Sequence, residues 1–264
     1  MQKILRRKQS AKNEDWLEAI EKIRELVPKQ ELDSLVFSTV EEIKETVKGK
    51  KAAYAWSAGK DSIVLTKICE IAGVSKCMMA ICDLEYPEFL SWAKEHAPDG
   101  LDILNTGQDM EWLSKHPDML FPRDSKKASL WFKVVQHNAQ ARYYKDNELD
   151  IMILGRRKAD GNYVGRGGNI YTDSKGMTRY NPLSEWSHEA ILAFIYYYNL
   201  KLPPIYSWTN GYLCGTHPWP ARQHMKSEEQ GWKEIYEIDR TIVENAASVF
   251  PVAKEIVDKM NRKK

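Results

Sequence analysis

Apolar residues recur along this chain in two rhythms. Near the N-terminus they fall three and four apart: Trp16, Ile20, Ile23 and Leu26, then, past Pro28, Leu35, Val36, Val40, Ile43 and Val47. That spacing predicts two amphipathic helices, over about residues 15–28 and 33–47, with Asn13 or Glu14 near the first cap. Beyond Gly49 the rhythm changes to short apolar runs. Residues 52–56 and 76–82 have the length and composition of buried strands, and residues 101–104 and 150–154 read as a short third and a fourth strand. Helical stretches separate them, over residues 61–72 with Gly73 as the stop, 87–96 with Pro87 in the first turn, 109–115 and 130–144. Strands alternating with helices in this way predict an α/β fold: a doubly wound parallel sheet with helices on both faces and right-handed crossovers.

After Leu154 neither rhythm holds. Residues 155–176 carry six glycines interspersed with Arg156, Arg157, Lys158 and Arg166, and read as one long loop of the kind that carries function. Ser184–Ser187 then predicts the cap of a helix carrying Ile191, Leu192, Ile195 and Tyr196, opened by an exposed His188. Residues 211–224 are aromatic and glycine-punctuated, and the tail reads as two helices broken near Pro251. The expected organisation is N-terminal helices over 1–49, a nucleotide-binding α/β domain over 50–206, and a loop and helical lobe over 207–264.

Charge narrows the picture only a little. With 39 basic and 37 acidic residues the net charge is +2, which as a total gives no warrant for a nucleic-acid binder. The basic arm Arg6-Arg7-Lys8 and the tail Arg262-Lys263-Lys264 read first as solubilising terminal charge, and second as nucleic-acid contacts. No segment approaches the ~18 apolar residues of a membrane span, and the basic start lacks the apolar core of a secretory signal, so a cytoplasmic location is expected. Cys69, Cys77, Cys82 and Cys214 form no CxxC pair and read as buried, reduced thiols.

The candidate chemistry begins at Ser57-Ala58-Gly59-Lys60-Asp61-Ser62, between the first strand and its helix. The first amides of a helix lack internal partners, so such a turn is an anion cradle. Gly59 permits close backbone approach, Ser57 and Ser62 add hydroxyl donors, and Lys60 adds charge. The spacing is not that of a G-x-x-x-x-G-K-S/T phosphate loop. Asp61, and with it Asp83, invites a Mg²⁺ reading, while Asp61 also suits the positive end of a helix. Arg156 and Arg157 close a strand, where ligands bind in open parallel sheets, and their forks suit phosphate or sulfate oxygens. Arg166 and Arg179 stand equally as ligand contacts or ordinary surface charge. Trp208, Tyr212 and Trp219 suit packing before base stacking.

The six-residue turn resembles the S-G-G-K-D-S pyrophosphate (PP) loop of the adenine nucleotide α-hydrolase-like superfamily, with Ala58 in place of the first glycine. Other segments resemble its phosphoadenosine phosphosulfate (PAPS) reductase branch: residues 83–88 its D-T-G-x-x-F-P-E segment in shortened form, Gly155-Arg156-Arg157 its G-x-R motif, and residues 181–187 its N-P-L-x-D-W-S segment. Residues 202–206 and Gly211-Tyr212 resemble its L-P-x-x-P-L-Y and G-Y elements. This resemblance implies nucleotide contacts from Ser57, Ala58, Gly59, Lys60, Asp61, Ser62, Asp83, Arg156 and Arg157, catalytic roles for Lys60 and Asp61, and Mg²⁺ on Asp61. The departures weigh as much. No cysteine follows Cys214, which reads as a loop residue, so the nucleophile of sulfonucleotide reduction is missing and no iron–sulfur cluster is expected. The expected activity is cleavage of ATP between its α and β phosphates to adenylate an acceptor. Adenylyl sulfate or PAPS reduction is the alternative; a third is a nucleotide-binding subunit of a nucleic-acid modification system, with a nucleic acid or sulfur carrier as partner.

Overall fold

The computed structural model describes residues 1–5, 11–223 and 225–262. Arg6, Arg7 and Lys8 of the basic arm, His224, and Lys263 and Lys264 of the tail therefore lie outside the described residues. The N-terminal pattern forms three helices rather than two: α1 (Asn13–Glu21), α2 (Ile23–Leu26) and α3 (Lys29–Val47). The first stretch breaks at Lys22, whose ψ of 7° leaves the helical range. α3 starts directly after Pro28, whose φ of −58° suits the entry to a helix.

The α/β body follows as β1 (Ala52–Ala55), α4 (Lys60–Ala72), β2 (Cys77–Ile81), α5 (Pro87–Glu95), β3 (Leu101–Asn105), α6 (Met110–Lys115), α7 (Ser125–Trp131), α8 (Asn138–Asp146) and β4 (Ile151–Ile153). Gly73 ends α4 at φ 83°, the left-handed conformation glycine adopts at little cost. The sheet order is β3-β2-β1-β4-β6-β5, and the two outermost strands on one side, β5 (Ile170–Thr172) and β6 (Thr178–Tyr180), arise inside and just after the glycine-rich stretch. That stretch is thus not a simple loop. Each strand is only three residues long, and a glycine-broken, charged sequence carries too little alternation to announce them. β6 runs parallel to β4, while β5 returns antiparallel beside it, with Tyr171 opposite Arg179.

Side-chain alternation divides the sheet between two cores. Ala53, Met78 and Met152 point to the face covered by Ala139 and Tyr143 of α8. Tyr54, Cys77, Met79, Ile151 and Ile153 point to the opposite face, under Val64 and Ile68 of α4, Val40 and Ile43 of α3, and α9 (His188–Tyr197). Helices thus cover both faces, the doubly wound arrangement. The short α10 (Gly211–Cys214) leads to α11 (Glu228–Ile238), α12 (Arg240–Ala246) and α13 (Pro251–Asn261), three tail helices instead of two. The extra break comes from Asp239, whose carboxylate caps α12 through the Thr241 N–H at 2.9 Å. Trp232 anchors this lobe, its ring 5.3 Å from Phe121 and 5.5 Å from Trp219.

The predicted helix over 130–144 starts earlier, at Ser125 behind the capping Asp124, and holds a π-helical turn over Phe132–His137 before α8. Such turns displace side chains from the regular helical register and concentrate at functional sites. Here the turn places Phe132, Gln136 and His137 on the cleft described next.

Candidate functional site

β1 and β4 lie side by side although β2 and β3 come between them in sequence, so the sheet changes winding direction at this pair. The crevice beyond the strand ends at such a point is where open α/β sheets hold ligands. A cleft of about 520 Å³ occupies it, within the range of small-molecule sites. Residues 55–57 and 59–62 form one wall and Leu154, Gly155 and Arg156 the next. The π-turn, residues 160–162, Tyr206 and residues 212–217 other than Cys214 add further lining.

The turn itself is tightly determined. Ser62 Oγ donates to the Gly59 carbonyl at 2.9 Å and receives the Ser57 N–H at 3.1 Å, closing the turn on itself. Ala58 sits at φ 52°, where a glycine would be relaxed; for a residue with a Cβ this costs roughly 1–2 kcal/mol. Gly59 is favoured by crowding rather than by its dihedral: a Cβ there would lie 3.0 Å from Thr216 Oγ1 and 3.3 Å from Ser57 Oγ, so one of the hydroxyls would have to shift by a few tenths of an ångström. The first intrahelical bond of α4 is Ile63 N–H to the Gly59 carbonyl, so the amides of Lys60, Asp61 and Ser62 fall outside the helical ladder. Tyr206, in a one-turn 3₁₀ segment, takes the Lys60 N–H on its hydroxyl at 2.8 Å. The sequence offered no signal for that contact across 146 residues.

Beside the turn lies an ionic network whose two cations are buried and whose two carboxylates are part-exposed. Lys60 Nζ donates to Asp61 Oδ2 at 2.7 Å and stands 5.1 Å over the Trp16 ring. Arg157, fully buried, places Nη2 2.9 Å from both Asp61 Oδ1 and Asp160 Oδ2 and 3.1 Å from His188 Nδ1. Two cations and two carboxylates balance, which is the condition for burying charge at tolerable cost. His188, expected to be exposed, is 2 % exposed instead, because α9 enters the core against Trp16 and Arg157. Burial first, and then the Arg157 cation, push its pKa down to about 4. The imidazole is neutral, and donation from Arg157 to Nδ1 assigns its proton to Nε2, edge-on to Trp16.

Arg156, one residue away, points into the cleft. Its Nη2 donates to His137 Nε2 at 2.6 Å and its Nη1 to the Tyr171 hydroxyl at 3.1 Å. His137 is likewise held neutral, pushed down to about 4 by burial and then by Arg156.

The structure brings Ser57, Gly59, Lys60, Asp61, Ser62 and Arg156 to the cleft wall, with Ala58 buried directly behind it. It separates two others. Arg157, expected to touch the ligand, does not line the cleft and holds Asp61 and Asp160 instead. Asp83, expected beside the nucleotide, is exposed at the end of β2 and accepts from Asn105 Nδ2. Arg179 is buried against Asp173 and Gln140, and Arg166 is exposed away from the cleft lining. Tyr212 lines the cleft while stacking on Trp16; Trp219 is packed in the lobe core.

Both oxygens of Asp61, the residue expected to hold Mg²⁺, stand close to a cation: Oδ2 is 2.7 Å from Lys60 Nζ and Oδ1 is 2.9 Å from Arg157 Nη2. Among the described residues, no group of three or more His, Cys, Asp or Glu side chains is placed to hold a metal ion. All four cysteines are buried and none lines the cleft. Cys214 directs its Sγ toward the Gln223 carbonyl at 4.0 Å.

Among the described residues no helix is long and apolar enough to cross a membrane. No curated protein sequence matches the chain. The fold is similar to that of phosphoadenylyl-sulfate (PAPS) reductase from Candida auris in its phosphate complex, at 18% identity and a TM-score of 0.51, covering 69% of this chain and 92% of that one. The U34-tRNA thiolase NcsA of Methanococcus maripaludis, with its [4Fe-4S] cluster, aligns at 14% identity and a TM-score of 0.41, over 97% of this chain and 84% of its own. NAD⁺ synthetase from Burkholderia pseudomallei aligns at 11% identity and a TM-score of 0.46, over 94% of this chain and 97% of its own. The sequence matches the phosphoadenosine phosphosulfate reductase domain over residues 51–213. The chain belongs to that family, within the PP-loop adenine nucleotide α-hydrolase-like superfamily.

Proposed function

We propose that the cleft binds ATP and cleaves it between the α and β phosphates, transferring AMP to an acceptor oxygen with release of pyrophosphate. The observation that carries this reading is the closed 57–62 turn at the β1–β4 crevice, with Arg156 on the facing wall. In it, Ser57, Ala58, Gly59 and Ser62 cradle the leaving pyrophosphate through backbone and hydroxyl groups, where donors aimed at developing charge are worth most. Lys60 and Asp61 act from below: their ion pair, completed by Arg157, holds the turn in shape before the nucleotide arrives. Arg156 supplies the fork that meets phosphate oxygens as charge shifts to the leaving group. Mg²⁺ enters as part of the nucleotide substrate, screening phosphate charge.

The test is direct. Incubation of the protein with Mg-ATP and candidate acceptors should release pyrophosphate, and Asp61→Asn should abolish release while circular dichroism stays unchanged. Binding without any pyrophosphate release would leave a nucleotide-binding subunit of a modification system. Salt-sensitive affinity for DNA or RNA would support that role.

A second reading, reduction of adenylyl sulfate or PAPS, draws support from the family match. It needs a thiol at the sulfur, and the cysteines are buried away from the cleft lining. Tighter binding of PAPS than of Mg-ATP, with sulfite release, would favour it.

A further inference from the structure

Glu85 follows β2 within the shortened 83–88 segment, at the place where the resembling motif has glycine. It is 8 % exposed, an unusual position for a carboxyl with no cationic partner in the described residues. The residue lines a narrow recess of about 20 Å³. Ser57, Ala80, Phe132, Gln136, Thr216 and His217 line both recess and cleft, so the two are continuous. The deeper wall is apolar, from Met79, Phe89, Trp131 and Val135, and includes no lysine or arginine.

The hydrogen bonding of Glu85 is incomplete. Its Oε1 receives the Cys82 N–H at 3.4 Å and the Cys82 thiol at 3.8 Å, and Oε2 is buried without a partner. A buried polar atom left without a partner is costly to desolvate, which calls for a role. Burial also pushes the carboxyl pKa up to about 8, so at neutral pH it is largely the neutral acid. With Oε1 already accepting, the proton sits on Oε2, and the orphan is an O–H donor in search of an acceptor.

We propose that Glu85 is a specificity residue for the base of the bound nucleotide, donating Oε2–H to one of its ring nitrogens. The inference rests on the nucleotide reading of the cleft. A nucleotide has an anionic end and a flat, weakly polar end, and the site has the same polarity. The 57–62 turn and Arg156 suit phosphates, whereas the cation-poor aromatic recess suits a base edge. A recess of about 20 Å³ admits an edge rather than a ring.

Equilibrium titration of the full chain with ATP and its 1-deaza, 3-deaza and 7-deaza analogues tests the assignment. The wild type should bind one analogue about tenfold more weakly than ATP, the loss of one hydrogen bond. Glu85→Gln, which keeps an N–H donor, should preserve most of that ratio. Glu85→Met should bring it within about twofold of unity. Equal binding of all four nucleotides by the wild type, or undiminished discrimination in Glu85→Met, overturns the assignment and leaves the nucleotide site intact. Failure of the wild type to bind ATP at all overturns both readings. Should Glu85→Met not fold, the infrared carbonyl band of the protonated acid, missing in Glu85→Gln, decides: a shift on adding ATP supports the contact, and an unmoved band overturns it.

Discussion

Arg156 and Arg157 are neighbours in the chain and opposites in the molecule. One lines the cleft, with a guanidinium shared between His137 and Tyr171; the other is fully enclosed and spent on Asp61, Asp160 and His188. The backbone at Arg157 is extended (φ −132°, ψ 148°), and successive side chains of an extended segment point to opposite sides. The same cation therefore does two jobs according to which side it faces. Toward the cleft it offers charge to a ligand; away from it, it neutralises the carboxylates that hold the phosphate turn.

The difference predicts a clear order of effects. Arg157→Leu would leave the half-buried carboxylates of Asp61 and Asp160 with a single lysine, and should cost about 3 kcal/mol of stability, with nucleotide binding lost as the turn slackens. Urea denaturation measures it, and a change below about 1 kcal/mol would show that the network holds nothing in place. Arg156→Ala should leave the denaturation midpoint nearly unmoved and weaken ATP binding by about 1.5–3 kcal/mol, on the order of 10- to 100-fold. The comparison breaks if the two variants exchange phenotypes.

The neutral histidines beside each arginine give a pH signature. His137 and His188 are pushed down to about 4, against about 6.5 in an unfolded chain. Between those values the unfolded chain binds more protons, so their contribution makes the protein lose stability as pH falls from 6.5 toward 4. Glu85, pushed up to about 8, works in the opposite sense: the folded state holds the extra proton, and stability declines as pH rises from about 4.5 to 8. Melting temperature against pH should therefore fall less steeply on the acidic side in His188→Asn, with His137 supplying the remainder, and decline less toward pH 8 in Glu85→Gln. Unaltered profiles would contradict the burial of these groups. The smallest effect belongs to the thiol: Cys214→Ser should keep ATP affinity and turnover within about twofold. Loss of turnover in a folded Cys214→Ser protein would bring the reductase reading forward.

Much of the architecture was legible before any tertiary contact was known. Strands β1, β2 and β4 appear as apolar runs because strands in the sheet interior have few polar positions to interrupt them. The 57–62 turn is legible for a similar reason, since small and hydroxyl residues between a strand and a helix have few other uses. β5 and β6 were not, because three residues next to glycines do not complete a pattern. The break of the N-terminal helix at Lys22 and that of the tail at Asp239 are also local events within continuous apolar spacing.

What the sequence by itself determined was the order of strands and helices and the presence of an anion-binding turn, both properties of residues near one another in the chain. Only the tertiary structure decided which charges remain available to a ligand. Asp61 is met by an arginine 96 positions later, Lys60 by a tyrosine hydroxyl and a tryptophan face, and His188 is drawn into the same interior. Glu85 carries the same lesson from the other direction: as a letter it is an ordinary surface acid, and packing makes it a buried, neutral donor. Burial and the partners that compensate it depend on chain segments far apart, so local spacing cannot encode them.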